Sequence, residues 1–221
     1  MHKLICLLGA MALVSFSLSA VAQTKTSDKD ASKVSVFGGY SFLHYSNGTD
    51  TALYGNGEPN YGANANGFVA SVAYKLTNTF AIEGEYGFYH AGSINNLNPG
   101  PGASITGNLQ TYLFGPKASK TRGPVTPFVH VLFGGMSGIV KGSASGISVT
   151  GPRANGFAMA LGGGFDWKAT PHVSIRPVQF EYLMSRLSNS HTLTDAVYRP
   201  GDGGNGMQNN YRYSAGVVYN F

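Results

Sequence analysis

The chain has 221 residues, of which only 11% are charged, while Gly numbers 31 and Tyr and Phe 13 each against a single Trp. So low a charged fraction argues against a coiled coil, a disordered acidic segment or the usual make-up of a cytosolic enzyme, and the aromatic and glycine content favours β-structure. The formal net charge is +5, yet the 15 Lys and Arg are spread along the chain without a dense run, which argues against a nucleic-acid-binding stripe.

The first segment has the make-up of an export signal. Met1, His2 and Lys3 form a short basic start, residues 4–18 are apolar, and Ala20-Val21-Ala22 supplies the small-x-small pattern of a cleavage site before Gln23. The apolar run of about 15 residues is shorter than the ~20 that a spanning helix needs, so residues 1–22 are expected to be a cleaved signal peptide. The only cysteine, Cys6, is lost with it, and the exported chain then has no disulfide and must rely on hydrogen bonding and burial. Residues 23–32 are polar and read as a flexible periplasmic tail, which leaves 33–221 as the folded domain.

From Val34 onward the sequence alternates with period two. The first predicted strand sets Val34, Val36, Gly38, Tyr40 and Phe42 against Ser35, Gly39 and Ser41. The second sets Phe68, Ala70, Val72, Tyr74 and Leu76 against Ser71, Ala73 and Lys75, and the third sets Phe80, Ile82, Gly84, Tyr86 and Phe88 against Glu83 and Glu85. The fourth is less clean: Leu109, Thr111 and Leu113 face one way, and Asn108, Gln110 and Tyr112 the other. The fifth sets Val129, Val131 and Phe133 opposite His130, and the sixth sets Phe157, Met159, Leu161, Phe165 and Trp167 opposite Ala158, Ala160, Asp166 and Lys168. The seventh carries Val178, Phe180, Tyr182 and Met184 against Gln179 and Glu181, and the eighth carries Tyr211, Tyr213, Ala215, Val217, Tyr219 and Phe221 against Arg212, Ser214 and Asn220.

The connections between these strands run to roughly 20, 2, 13, 10, 17, 3 and 22 residues, so long and short ones alternate. That alternation predicts an all-β protein, an eight-stranded antiparallel up-and-down transmembrane β-barrel with short turns at one end and long loops at the other. A soluble barrel would have the opposite phase, apolar side chains inward. Three features favour the membrane phase. The charges on the polar face are too sparse for a solvated surface; aromatics such as Tyr40, Trp167 and Tyr219 sit near strand ends, as in an interfacial girdle; and the sequence ends on Phe221.

Several segments then carry a resemblance. Gly38-Gly39-Tyr40-Ser41, Pro127-Phe128-Val129-His130, Gly162-Gly163-Gly164-Phe165-Asp166, Ile175-Arg176-Pro177 with Glu181-Tyr182, and the run from Tyr213 to Phe221 together resemble the outer-membrane β-barrel domain family related to the OmpA transmembrane domain, over residues 32–221. The resemblance implies a location in the outer membrane of a Gram-negative cell. It also implies that Tyr219 and Phe221 belong to the terminal signal read by the barrel assembly machinery. The peptidoglycan-binding domain of full-length family members is expected to be absent, which puts cell-wall tethering in doubt.

Little in the sequence points to chemistry. Ser188-Asn189-Ser190-His191 invites comparison with lipid-deacylating outer-membrane barrels, but their motif places His before Ser-Asn; here these residues read as polar loop residues. The histidines at 44, 90, 130, 172 and 191 lack metal-ligand spacing and read as interfacial or lumen residues, and no glycine run forms a phosphate-binding turn. No catalytic, cofactor or metal site is therefore expected. Lys75, Glu83, Glu85, Asp166, Lys168, Arg176, Glu181 and Arg212 are expected to form a lumen network of four acids and four bases. Arg176 fits it only if a β-bulge at Pro177 turns the arginine inward and Ile175 outward. The expected function is a structural or surface-interacting outer-membrane barrel with a closed lumen, neither enzyme nor nucleic-acid binder. Its expected partners are membrane lipids, the assembly machinery and, through residues 46–65 and 188–208, a possible extracellular ligand. A narrow pore or loop-borne ligand-binding barrel is the alternative, and a lipid-modifying enzyme the third reading.

Overall fold

Nine strands follow one another without a helix in the described part of the chain: β1 (Val34–Ser46), β2 (Gly62–Lys75), β3 (Phe80–Ala91), β4 (Ala103–Ser119), β5 (Val125–Ala144), β6 (Ile147–Thr150), β7 (Ala154–Lys168), β8 (Val173–Ser188) and β9 (Met207–Asn220). The computed structural model describes residues 33–46, 62–91, 103–144, 147–151, 153–188 and 207–221. The expected export signal (1–22) and tail (23–32), and the loop residues 47–61, 92–102 and 189–206, lie outside the described residues.

Every neighbouring pair is antiparallel, β1 pairs with β9, and β4 pairs with β5, which closes the sheet on itself. The small strand β6 pairs only with the far end of β5, residues Lys141 to Ala144, and stays out of the wall. The wall is therefore the expected closed eight-stranded antiparallel barrel, built from all strands but β6, and closure leaves no unpaired sheet edge.

Two stretches are longer in strand than the alternation suggested. Where about 17 residues of connection were expected, β5 runs on to Ala144 and β6 follows, because Gly134, Gly135 and Gly138 have no side chain through which alternation could show. Likewise β4 continues to Ser119 through Pro116, which carries no N–H for the ladder.

The short connections are tight. In the β2–β3 turn the backbone N–H groups of Leu76 and Thr77 both donate to the Phe80 carbonyl, at 2.9 and 3.1 Å, while the Thr77 hydroxyl oxygen accepts from the Phe80 N–H at 2.9 Å. The β7–β8 turn repeats this plan: Ala169 and Thr170 donate to the Val173 carbonyl at 3.0 and 2.9 Å, and the Thr170 hydroxyl oxygen accepts from Val173 at 3.0 Å. Threonine at the turn thus satisfies a donor that the hairpin leaves free. Gly123, at φ +60°, turns β4 into β5.

The phase is that of a membrane barrel. Phe68, Leu161, Trp167, Ile175, Phe180 and Val217 are each about half exposed on the outer wall, whereas Ser41, Glu83, Glu181 and Arg212 are fully buried inside. In lipid such an apolar exterior needs no further cover. Cross-strand rings meet along this wall, Phe68 tilted against Tyr86 at 6.1 Å and Tyr86 stacked on Tyr112 at 6.2 Å between centroids. β4, whose two faces the sequence pattern leaves undecided, is settled by the structure. Its leucine face points inward, with Leu113 and Thr111 buried, and Tyr112 and Phe114 face out. The tie between Leu109, Leu113 and Tyr112 is broken by Phe114, a residue beyond the stretch that the sequence pattern used.

The interior is narrow enough for backbones to approach through glycine. A Cβ on Gly134 would lie 1.9 Å from the Tyr112 carbonyl oxygen of the neighbouring strand. Gly134→Val is therefore expected to leave less of the protein in the fast-migrating, heat-sensitive form on a gel run without boiling. The cost is that of overpacking, roughly 1–3 kcal/mol or more.

Candidate functional site

The charged residues of the inner wall meet in one connected network. At its centre Arg212 (β9) donates through Nε to Glu181 Oε2 at 2.7 Å and through Nη1 to the Tyr89 hydroxyl at 3.0 Å. Its Nη2 also contacts carboxylate oxygens of both Glu85 and Glu181. One guanidinium therefore spans two carboxylates, one of them by two nitrogens, the geometry in which Arg is most effective. Gln179 (β8) donates to Glu181 Oε2 at 2.8 Å and to Glu85 Oε2 at 3.3 Å.

His130 (β5) extends the network across the lumen. Its Nδ1 lies 2.9 Å from Glu83 Oε2 and its Nε2 3.0 Å from Glu181 Oε1, and both contacts need a ring N–H. Glu83 also accepts from the Ser71 hydroxyl at 2.6 Å and from Lys117 Nζ at 3.4 Å. Ser41 and Ser214 are hydrogen-bonded at 2.8 Å, and the Ser41 hydroxyl reaches Tyr89 at 3.3 Å.

At the short-turn side Arg176 joins in. It donates from Nε and Nη2 to the two oxygens of Asp166, at 2.6 and 3.1 Å, and from Nη1 to Gln179 Oε1 at 2.6 Å. Its guanidinium carbon also lies 4.2 Å from the ring centroids of Phe37 and Phe128, a cation held between two aromatic faces. The expected bulge puts it there: the β8–β9 register shifts between Arg176 and Gln179, which leaves Arg176 1% exposed and Ile175 51% exposed. The hydroxyl of Tyr213 donates to the Pro177 carbonyl at 2.9 Å and closes the bulge from outside.

Every strand of the wall contributes a member: Ser41 from β1, Ser71 from β2, Glu83, Glu85 and Tyr89 from β3, Lys117 from β4, His130 from β5, Asp166 from β7, three from β8 and Arg212 from β9. Six residues of the expected set come together, namely Glu83, Glu85, Asp166, Arg176, Glu181 and Arg212. The other two do not. Lys75, the last residue of β2, follows the inward phase past the network to the mouth of the lumen. Lys168, the last residue of β7, is exposed beyond the register shift between Phe165 and Trp167.

Lys117 and His130 take their places, and four acids still face four bases when the His130 ring carries both protons. Lys117 lies beyond the stretch in which the fourth strand alternates legibly; continuing the inward phase 109, 111, 113, 115 two residues further reaches it. His130 already showed as the polar residue opposite Val129 and Val131. Gly162 makes room for the centre, since a Cβ there would lie 2.4 Å from Glu181 Cγ and from the Phe180 carbonyl oxygen. Gly162→Ala is accordingly expected to displace Glu181 and lower the unfolding midpoint in urea, while Gly142→Ala, which meets nothing within 4 Å, leaves it unchanged.

On the long-loop side of the network the lumen is lined mainly by apolar side chains, with Asn210, Ser185 and Ser137 buried on the same side. Leu43, Leu132, Met136 and Leu183 each follow a network residue on their own strands, and they pack with Leu113, Tyr89 and the alanines at 65, 91, 158 and 160. Among the described residues Thr111 Oγ1 is the buried side-chain polar atom without a partner, and it lies in this apolar layer. Among the described residues the other histidines serve the wall's rims: His44 bonds Asn64 at 2.8 Å, His90 bonds Asn108 at 2.7 Å, and His172 bonds the Asn220 carbonyl at 3.1 Å. Tyr219 and Phe221 are about half exposed. The stretch 189–191 of the Ser188–His191 motif lies outside the described residues.

A closed eight-stranded antiparallel barrel with an apolar exterior and a polar, ion-paired interior is the architecture of the small outer-membrane barrels, so the resemblance read from the sequence holds at the level of the fold. Among solved structures the chain is similar to Ail, the attachment invasion locus protein of Yersinia pestis, with 18% identity and a TM-score of 0.53 over 87% of this chain and all of that one. The same protein in complex with the heparin analogue sucrose octasulfate matches with 19% identity and a TM-score of 0.50, over 86% of this chain and 98% of that one. No known family and no curated protein matches the sequence.

Proposed function

We propose that this chain is an integral outer-membrane protein with a closed lumen and a structural or surface-interacting role, and that it is not an enzyme. The observation that supports this most is the filled interior: a network drawn from all eight wall strands, roofed on the long-loop side by Leu43, Leu132, Met136 and Leu183. An ion crossing it would have to break several buried ion pairs and then pass an apolar layer, both costly steps. Among the described residues the carboxylates are engaged with Arg, His and Lys partners inside, with none left facing a site open to substrate, which speaks for a structural use of these charges. Outer-membrane lipids then contact the wall, the assembly machinery reads the Tyr219 and Phe221 end during biogenesis, and any extracellular ligand is met by the long loops.

Reconstituted in planar bilayers, the full chain is expected to show no large, steady conductance. Such a conductance would replace this reading with that of a narrow pore. Release of acyl chains from outer-membrane lipid by the purified protein would overturn the non-enzymatic part alone.

A further inference from the structure

Charge is sorted between the inside and the outside of this barrel. Among the described residues all the carboxylates, Glu83, Glu85, Asp166 and Glu181, belong to the lumen network, and so do Lys117, Arg176 and Arg212. Among the described residues the charged side chains that remain outside that network are basic alone. Lys33, Lys75, Lys120, Arg122 and Lys168 lie at the short-turn end, and Lys141, Arg153 and Arg186 lie toward the long loops. Each short turn opens on a cation: Lys75 ends β2, Lys120 and Arg122 follow β4, and Lys168 ends β7.

These cations are set among exposed apolar groups. Lys75, at the mouth of the lumen, is next in sequence to the outward Tyr74 and Leu76, 45% and 58% exposed, and the exposed Lys168 follows Trp167, 58% exposed. Lys120 borders a shallow groove formed with Thr79, Ala118, Ser119, Pro127 and Val129, and Val129 is 61% exposed on the wall. A rim of cations bordering a wall of exposed aromatic and aliphatic side chains marks the level where hydrocarbon meets phosphate. A soluble acidic partner would have to press against that apolar wall, whereas a phospholipid covers both parts at once, headgroup on the cation and chains on the wall.

We propose that the short-turn rim is a docking surface for anionic phospholipid headgroups in the periplasm-facing leaflet, a step that rests on the reading of the chain as an outer-membrane barrel. The test uses the full chain folded into phosphatidylcholine bilayers containing spin-labelled phosphatidylglycerol or, in a parallel sample, spin-labelled phosphatidylcholine. Folding is read separately from the shift in gel mobility on boiling, so a chain that never enters the bilayer counts against the barrel reading and not against this one.

The motionally restricted lipid fraction is expected to favour phosphatidylglycerol by roughly three- to fivefold. That preference should fall toward parity in the variant carrying Lys75→Gln, Lys120→Gln, Arg122→Gln and Lys168→Gln, and should largely survive Lys141→Gln, Arg153→Gln and Arg186→Gln combined. It should also vanish from the wild type at about 1 M salt, where the screening length is about 3 Å, which decides the matter if the quadruple variant does not fold. Parity in the wild type, or loss of preference only in the long-loop variant, would overturn the proposal. So would a rim indifferent to headgroup charge that instead captured an acidic polypeptide such as polyglutamate.

Discussion

Arg212→Ala is expected to lower the unfolding midpoint in urea more than any other single change in the lumen. The substitution removes the partner of Glu181 and Glu85 together, and with it the donor to the Tyr89 hydroxyl. Both carboxylates are fully or nearly fully buried, so they cannot turn to bulk water. Leaving a buried charge unpaired costs roughly 3–5 kcal/mol, and water entering the space left by the guanidinium offsets part of it. Removing the charges in a matched way distinguishes this cause from simple loss of packing. Arg212→Met combined with Glu85→Met is expected to regain a good part of the loss, because the apolar groups demand no partner and Glu181 keeps His130 and Gln179. A double variant no more stable than Arg212→Ala would show that packing and not charge carries the effect.

On the outer wall, Leu161→Arg is expected to impair insertion while Leu161→Phe folds like the wild type. Leu161 is the middle residue of β7, 52% exposed, and its neighbours across the strands are Val131 and Tyr182. An arginine at mid-membrane on a lipid-facing position costs about 2 to 4 kcal/mol. The folded fraction in lipid vesicles, read from heat-modifiable mobility, measures it. Equal yields for Leu161→Arg and the wild type would mean that this face does not meet hydrocarbon.

The contrast between these two sites shows how the same sequence can charge its interior and still suit a membrane. Arg212 is tolerated because its strand neighbours and the strands opposite supply carboxylates within hydrogen-bond reach. At Leu161 the surroundings are outward apolar side chains, and an arginine would find no partner. Burial in protein and burial in lipid are therefore different demands on the same side chain, and the alternation along each strand assigns residues to one or the other.

That alternation is what the sequence determines by itself. Period two over eight segments, with Phe68, Tyr74, Leu161, Phe180 and Val217 on one face, decides the strand content and sorts the side chains into two faces, while the sparse charges of the polar face and the aromatics near strand ends decide which of the two meets lipid. The inward turn of Arg176 was also legible, because proline cannot continue a ladder and an arginine in hydrocarbon is too costly. What the alternation cannot carry is membership of a three-dimensional cluster. Only the closure of β4 on β5, across Gly134, brings Lys117 and His130 to Glu83, and only the ends of β2 and β7 decide that Lys75 and Lys168 stop at the rim. Ion pairing falls off within a few ångströms, whereas these partners are dozens of residues apart in the chain; which base meets which acid is fixed by register and closure, which belong to the barrel as a whole.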